Sequence, residues 1–199
     1  MSATRPDRLI LASASPRRRE LLERAGLRFE AIPPAVEEDD SGREGPRAMV
    51  AKNAALKAAA LAARFPGALV LGSDTTVALD REVLCKPADL EEAAAMLRRL
   101  SGRVHRVYTA VALRWAAGAW EKDFVETSRV RFKRLDDERI ADYFRRVDPL
   151  DKAGAYGIQE RREMIVERVE GSVDNVMGLP VQAVVASLAE QGFDFRGPD

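Results

Sequence analysis

Short apolar runs alternate with helical segments along the chain, and this alternation restricts the fold to the α/β classes. The run Leu9–Ala12 predicts a buried strand. Ser15 supplies an N-cap hydroxyl and Pro16 suits the first helical position, so residues 16–25 are predicted to be a helix that Gly26 ends. A strand that leads directly into a capped helix is typical of a sheet covered by helices.

The remaining elements follow from the same periodicities. Strands are predicted over residues 27–32, 68–71, 75–79, 82–84, 104–113, 120–132 and 164–169, and helices over residues 47–64, 89–100, 136–147 and 180–189. Gly72-Ser73-Asp74 is predicted to end the strand 68–71, and residues 196–199 to be frayed. Because the connections vary in length, the predicted fold is α/β, with an elongated mixed β-sheet flanked by helices.

Charge and composition exclude several classes of function. Lys plus Arg and Asp plus Glu each number 32, so the chain lacks the basic excess of a nucleic-acid binder. The single cysteine, Cys85, cannot form an internal disulfide, and the single histidine, His105, excludes a multi-histidine zinc site. Residues 58–63 are too short to span a bilayer, and residues 1–7 have no apolar signal core. We expect a soluble cytoplasmic protein with neither a nucleic-acid nor a membrane partner.

Three consecutive arginines occupy the first turn of the first predicted helix. A helix N-terminus carries partial positive charge, so Arg17, Arg18 and Arg19 are each misplaced there by up to roughly 1 kcal/mol. A bound anion would explain them, with backbone N–H groups, serine hydroxyls and guanidinium groups as donors. The alternative is a solvated basic turn whose charges are screened by salt.

A carboxylate follows the buried strand 68–71. Ligands of open α/β sheets bind at the carboxyl ends of strands, so Asp74 in Gly72-Ser73-Asp74-Thr75-Thr76 could hold a divalent cation or activate water. It could equally be a turn residue that caps its own backbone. We favour the functional interpretation.

Three further segments could complete a binding cleft. The acidic run 37–40 offers a second metal carboxylate, or is a solvated loop. Lys86 before Pro87 could direct an ammonium into a cleft, or be an ordinary exposed lysine. The loop 151–159 could contact a base edge, or form a tight turn. Together these segments predict a cleft for an anionic, metal-bound substrate such as a nucleoside triphosphate.

Several rival chemistries fit the sequence less well. It has neither a Gly-x-x-x-x-Gly-Lys-Ser/Thr loop nor a Gly-x-Gly-x-x-Gly fingerprint. We expect His105 to be structural, or to support the site without contacting the substrate. A phosphatase with Asp74 as covalent nucleophile would need an aspartate two positions later, where Thr76 stands. A protein that binds nucleotide without turnover, such as a regulator of cell division, remains an alternative.

Six motifs in order give the chain a wider resemblance. They lie at residues 11–22 (LASASPRRRELL), 72–75 (GSDT), 86–87 (KP), 100–109 (LSGRVHRVYT), 149–159 (PLDKAGAYGIQ) and 176–180 (VMGLP). Over residues 9–180 the chain resembles the Maf family of nucleotide pyrophosphatases. The resemblance implies one domain, residues 1–199, with two lobes around a central cleft. It also implies hydrolysis of a nucleoside triphosphate to the monophosphate and pyrophosphate, dependent on Mg²⁺ or Mn²⁺, and homodimers are common among relatives.

The resemblance also implies roles for individual residues. Asp74 matches the acidic residue that acts as the base activating water, Glu38 the acidic-loop glutamate expected to share the metal, and Lys86 the lysine of the Lys-Pro step. The remaining expected substrate contacts are Ser13, Arg17, Lys57 (chosen over Lys52), Thr75 and Gln159.

Substrate preference is also implied by the resemblance. Thr75 with Gln159 resembles the branch that acts on dTTP and UTP, and the 7-methyl-GTP branch is the alternative. An amide can both donate to and accept from a pyrimidine edge. One departure is that family members usually follow Gly-Ile-Gln with a glycine, whereas residues 160–163 here are Glu-Arg-Arg-Glu.

Overall fold

The computed structural model describes residues 5–197, so the expectations for residues 1–4 and 198–199 lie outside it. The predicted α/β class is confirmed. The elements are β1 (Leu9–Ala12), α1 (Pro16–Arg24), β2 (Glu30–Ala31), α2 (Pro46–Arg64), β3 (Leu69–Leu79), β4 (Glu82–Leu84), α3 (Leu90–Leu100), β5 (Val104–Trp115), β6 (Trp120–Phe132), α4 (Asp137–Phe144), a 3-10 turn (Ala153–Ala155), α5 (Arg162–Ile165), β7 (Val166–Glu170), α6 (Val173–Met177) and α7 (Val181–Glu190).

The strands form one mixed sheet, as predicted. Their order is β2-β1-β3-β5-β6-β7, and β4 pairs with β3 outside this path. Strand β1 pairs in parallel with both β2 and β3, whereas the other pairings are antiparallel. The division into two lobes, and the single domain over residues 1–199, stay predictions.

The predicted end of the third strand is wrong, and the correction matters for the site. Gly72-Ser73-Asp74 does not end a strand, because β3 runs without a break from Leu69 to Leu79. Its parallel ladder with β1 ends at the pair Ala12–Gly72, but its antiparallel ladder with β5 continues to Ala78. Asp74 therefore lies inside a strand, two residues beyond the point where the neighbouring strand β1 stops.

Two other expectations change because of contacts that are distant in sequence. Of the predicted strand 27–32, only β2 joins the sheet, because Leu27 pairs with Arg196 and the Arg28 amide donates to the Phe195 carbonyl. The same pairing means that residues 196–197 are not frayed. The predicted strand 164–169 begins as the one-turn helix α5 and becomes β7 only at Val166.

Helix α2 packs unusually close to β3 at a glycine. A Cβ atom at Gly72 would lie 2.3 Å from the carbonyl oxygen of Ala54 and 2.7 Å from the amide nitrogen of Ala58. Both alanines are fully buried on α2. Because only glycine fits at this distance, the close approach fixes where the polar face of α2 meets the strand.

Within residues 5–197, no helix combines the length and apolar character needed to cross a bilayer.

Candidate active site

All eight residues singled out from the sequence line one cleft of about 690 Å³. They are Ser13, Arg17, Glu38, Lys57, Asp74, Thr75, Lys86 and Gln159. Separate elements supply them: the start of α1, the acidic loop, α2, β3, the segment after β4 and the loop before α5. The cleft thus brings together residues that are up to 146 positions apart in sequence.

The three arginines of the first helical turn point in different directions. Ser15 caps α1 by accepting from the Arg18 amide, as predicted. Arg17 donates to Asp151 over 2.9 Å across the cleft, whereas Arg19 is exposed and does not line the cleft. Two arginines rather than three therefore face the cleft, and the anion itself stays a prediction.

Arg18 lines the cleft, although the sequence indicated it only as one of three arginines and not as an individual site residue. Its guanidinium donates to Ser13 Oγ (3.2 Å), Thr75 Oγ1 (3.2 Å) and the Gly178 carbonyl (2.9 Å), so it connects three segments of the cleft wall. Burial lowers the pKa of Arg18, and the negative charges of Asp74 and Glu38 oppose that shift. One sequence signal distinguishes Arg18 from Arg17 and Arg19: it lies three residues after the N-cap Ser15, at the position whose amide the cap accepts from.

Two side chains of helix α2 bind the Asp74 carboxylate, one at each oxygen. Its Oδ1 accepts from Lys57 Nζ at 2.9 Å, and its Oδ2 accepts from Asn53 Nδ2 at 3.1 Å. Lys57 also pairs with Glu38, so one ammonium contacts both predicted metal carboxylates. Asn53 was not predicted, although it lies one helical turn before Lys57 and so shares its face.

The two candidate lysines of α2 have different environments. Lys57 is 5% exposed and lines the cleft. Lys52 pairs instead with Asp39 of the acidic loop and is more than half exposed. The geometry therefore favours Lys57, the residue chosen from the sequence.

The donor set fits a metal ion that is shared with a bound phosphate. Glu38 and Asp74 both reach the same cation, the Lys57 ammonium, so their oxygens converge on one position. No group of three or more His, Cys, Asp or Glu side chains suited to a metal occurs in residues 5–197. Mg²⁺ in substrate complexes commonly uses one or two carboxylates, with phosphates and water completing its octahedron.

Comparisons with known proteins identify the family of this chain. Residues 8–191 match the family described as "Maf-like protein". The chain belongs to the Maf family. A "dTTP/UTP pyrophosphatase" of Myxococcus xanthus is 50% identical to it, over 92% of each chain. Proteins of the same name from Anaeromyxobacter dehalogenans and Symbiobacterium thermophilum are 48% and 46% identical, over 93–95% of each chain. Maf membership suggests a requirement for a divalent metal.

Two polar side chains of this Maf chain remain open to a ligand. Lys86 is exposed at the cleft wall and forms no ion pair with the described residues. Gln159 is likewise exposed, and its amide has no hydrogen-bond partner within residues 5–197. Nearby, burial raises the pKa of the Cys85 thiol, which disfavours a reactive thiolate at this position.

The first residue after Gln159 joins its segment to a neighbouring loop through an ion pair. Glu160 pairs with Lys152 at 3.2 Å. Lys152 is 5% exposed, and its ammonium also reaches Asp151 Oδ1 at 2.6 Å and the Asp148 carbonyl at 2.8 Å. Glu160 therefore connects the segment bearing Gln159 to the loop that contacts Arg17 through Asp151.

His105 is buried and lies outside the cleft lining. It is 1% exposed, and its Nε2 lies 2.8 Å from the hydroxyl of Tyr156, a residue that lines the cleft. Burial lowers the pKa of His105 to about 3, so the ring is neutral at physiological pH. A neutral ring suits a position between the aromatic rings of Phe132 and Tyr156.

Thr75 belongs to a small hydroxyl network behind the cleft. Its Oγ1 lies 3.0 Å from Thr109 Oγ1 and 3.3 Å from the Gly178 carbonyl. The same carbonyl accepts from Ser73 Oγ at 3.2 Å, and Thr109 donates to the Asn175 carbonyl at 2.8 Å. The network packs α6 and the residue after it against β3 and β5.

Proposed function

We propose that this protein hydrolyses nucleoside triphosphates, chiefly dTTP and UTP, to the monophosphate and pyrophosphate with a divalent metal. The observation that carries the proposal is the convergence of Asp74 and Glu38 with Arg17 and Lys86 in one cleft. Carboxylates beside cationic side chains are what hydrolysis of a metal-bound phosphoanhydride requires. Relatives of 46–50% identity carry the name dTTP/UTP pyrophosphatase, which supports the choice of nucleotide.

The two carboxylates have separate roles in the proposed reaction. Asp74 and Glu38 would hold the metal ion, which when bound lowers the pKa of water and offsets phosphate charge. Asp74 orients the attacking water and accepts its proton as the water oxygen bonds to the α-phosphorus. The bond from the α-phosphorus to the bridging oxygen breaks, and its electron pair leaves with the pyrophosphate.

Cationic groups stabilise the leaving pyrophosphate. Lys86 is free to contact it, and Arg17 exchanges its contact with Asp151 for a phosphate oxygen. Ser13 and the N-terminus of α1 add neutral donors. Gln159, with its unoccupied amide, contacts the edge of the base.

Three further proposals accompany the proposed activity. The protein works in the cytoplasm, folds as one domain with two lobes, and forms a homodimer. Light scattering after size-exclusion chromatography tests the last of these, and a monomeric mass at micromolar concentration would contradict it.

The first experiment is a screen of nucleoside triphosphates with Mg²⁺ or Mn²⁺ that detects pyrophosphate and orthophosphate separately. We expect pyrophosphate from dTTP and UTP. Orthophosphate alone would indicate a phosphatase, and pyrophosphate from 7-methyl-GTP alone would indicate the other Maf branch. Binding of nucleotide without either product would indicate a regulator rather than an enzyme.

Replacing Glu160 by glutamine should weaken substrate binding more than turnover. The change removes one charge partner of Lys152 and loosens the segment that carries Gln159. A partly exposed ion pair contributes up to about 1 kcal/mol, so we expect KM for UTP to rise by about fivefold with kcat little changed. Steady-state kinetics test this. Glu163→Gln, an exposed change three residues away, is the control, and equal KM values for both variants would contradict the assignment.

A further inference from the structure

The Lys57 ammonium lies where the two predicted metal carboxylates converge. Its Nζ is 2.9 Å from Asp74 Oδ1, contacts Glu38 Oε2 and is 3.4 Å from the Ser73 carbonyl. The side chain is only 7% exposed, so these oxygens, rather than water, provide its main polar contacts. A cation thus already occupies the point that Glu38 and Asp74 share.

The second oxygen of Asp74 also has a donor within the protein. This oxygen accepts from Asn53, whose own Oδ1 accepts from the Asp39 amide. Asn53 is 1% exposed and is therefore fixed by its packing. A metal ion that approaches Asp74 meets a carboxylate with both oxygens engaged.

The charge of the cleft disfavours a free cation further. Its lining contains five Arg or Lys residues (Arg17, Arg18, Lys57, Lys86, Lys152) against four acidic ones (Glu38, Asp40, Asp74, Asp151). A dication that entered alone would be repelled by the nearby ammonium and guanidinium groups. A metal ion that enters bound to a polyanion is not repelled in this way, because the negative charge of the polyanion compensates the ammonium and guanidinium groups.

We propose that Lys57 holds the place of the metal in the free protein and gives way only when metal arrives with an anionic substrate. This rests on the proposed function in one respect, the assignment of Glu38 and Asp74 as metal ligands. The free protein then binds divalent metal weakly, and the ammonium keeps the two carboxylates in position until the substrate complex enters. Lys57 is in this sense a positioning residue for the metal site.

The test is the affinity of the nucleotide-free protein for Mn²⁺, followed by the electron paramagnetic resonance signal of free Mn²⁺. Lys57→Met removes the ammonium and keeps the length of the side chain. We expect its affinity for Mn²⁺ to exceed that of the wild type by at least about tenfold, because two close carboxylates lose their resident cation. Adding Asp74→Asn to Lys57→Met should abolish the gain.

The chain offers a matched control on the same helix. Lys52→Met removes the same charge from α2, and Lys52 also pairs with an acidic-loop carboxylate, but it is exposed and outside the cleft. We expect its Mn²⁺ affinity to stay within twofold of the wild type. An equal gain of Mn²⁺ affinity in both variants would show an effect of net charge alone and would overturn the proposal. Unchanged Mn²⁺ affinity in Lys57→Met would overturn it as well.

A second variant keeps the test decisive if methionine disturbs folding. Lys57→Gln retains a donor for Asp74 without the charge, and circular dichroism checks both variants before titration. A failure of the Lys57 proposal can be distinguished from a failure of the proposed hydrolase activity, because the Mn²⁺ titration involves no nucleotide. Hydrolysis with unchanged Mn²⁺ affinity in the Lys57 variants overturns the Lys57 role alone. Tighter Mn²⁺ binding in a protein that releases no pyrophosphate overturns the hydrolase alone.

Discussion

Replacing Asp74 by asparagine should lower kcat for pyrophosphate release from dTTP or UTP by about 100- to 10,000-fold, the range contributed by a general base. The amide keeps the size of the side chain and a contact with Lys57, but it cannot accept the proton of water and is a poorer metal ligand. Initial rates at saturating Mg²⁺ and nucleotide measure the loss. Turnover within threefold of the wild type in a folded variant would contradict the assignment.

Two controls separate this loss from general damage. Asp142→Asn makes the same chemical change on helix α4, outside the cleft, where the half-buried Asp142 forms ion pairs with Arg145 and Arg146. We expect it to keep wild-type turnover. Calorimetric binding of nucleotide to Asp74→Asn should also persist, because the phosphate-binding cations remain.

Replacing Gly72 by alanine should give the largest loss of stability among single-methyl changes near the site. The new Cβ would lie 2.3 Å from the Ala54 carbonyl oxygen, and neither that helix backbone nor the buried strand segment around Gly72 can move freely. Overpacking of this kind costs about 1–3 kcal/mol and sometimes more, and we expect the free energy of unfolding to fall by about 3 kcal/mol. Urea denaturation measures it.

The same substitution also tests how the site is built. If α2 moves outward to admit the methyl group, Asn53 and Lys57 move away from Asp74, and turnover should fall even where the protein is folded. Gly67→Ala is the matched control, because its Cβ would meet only the flexible carboxylate of Asp7 and its φ is not positive. A stability change as small as that expected for Gly67→Ala, about 0.5 kcal/mol, would contradict the close packing at Gly72.

The sequence predicted the elements that depend on local rules. The capped start of α1 and the Ala-rich helix α2 follow from hydroxyl capping and helix propensity, which act over a few residues. All eight site residues that the family resemblance implied also line the cleft, including Lys57, whereas Lys52 does not.

What the sequence did not predict depends on partners distant along the chain. Strand β3 continues through Gly72-Ser73-Asp74 because β5 pairs with it there, and a glycine with small polar neighbours locally favours a turn. Leu27 leaves the predicted strand because Arg196 pairs with it. Arg18 and Asn53 become part of the site only when β3 is placed beside α1 and α2.

The hydroxyl network behind the cleft has a fixed direction. Thr109 has one hydroxyl hydrogen, which the Asn175 carbonyl takes, so Thr109 can only accept from Thr75. Thr75 accepts in turn from Arg18, and its own hydrogen has two acceptors within reach, Thr109 Oγ1 and the Gly178 carbonyl, both of them in the protein. A ligand that contacts this threonine therefore meets an oxygen whose hydrogen is already engaged, so a group with a hydrogen to donate fits there better than another acceptor.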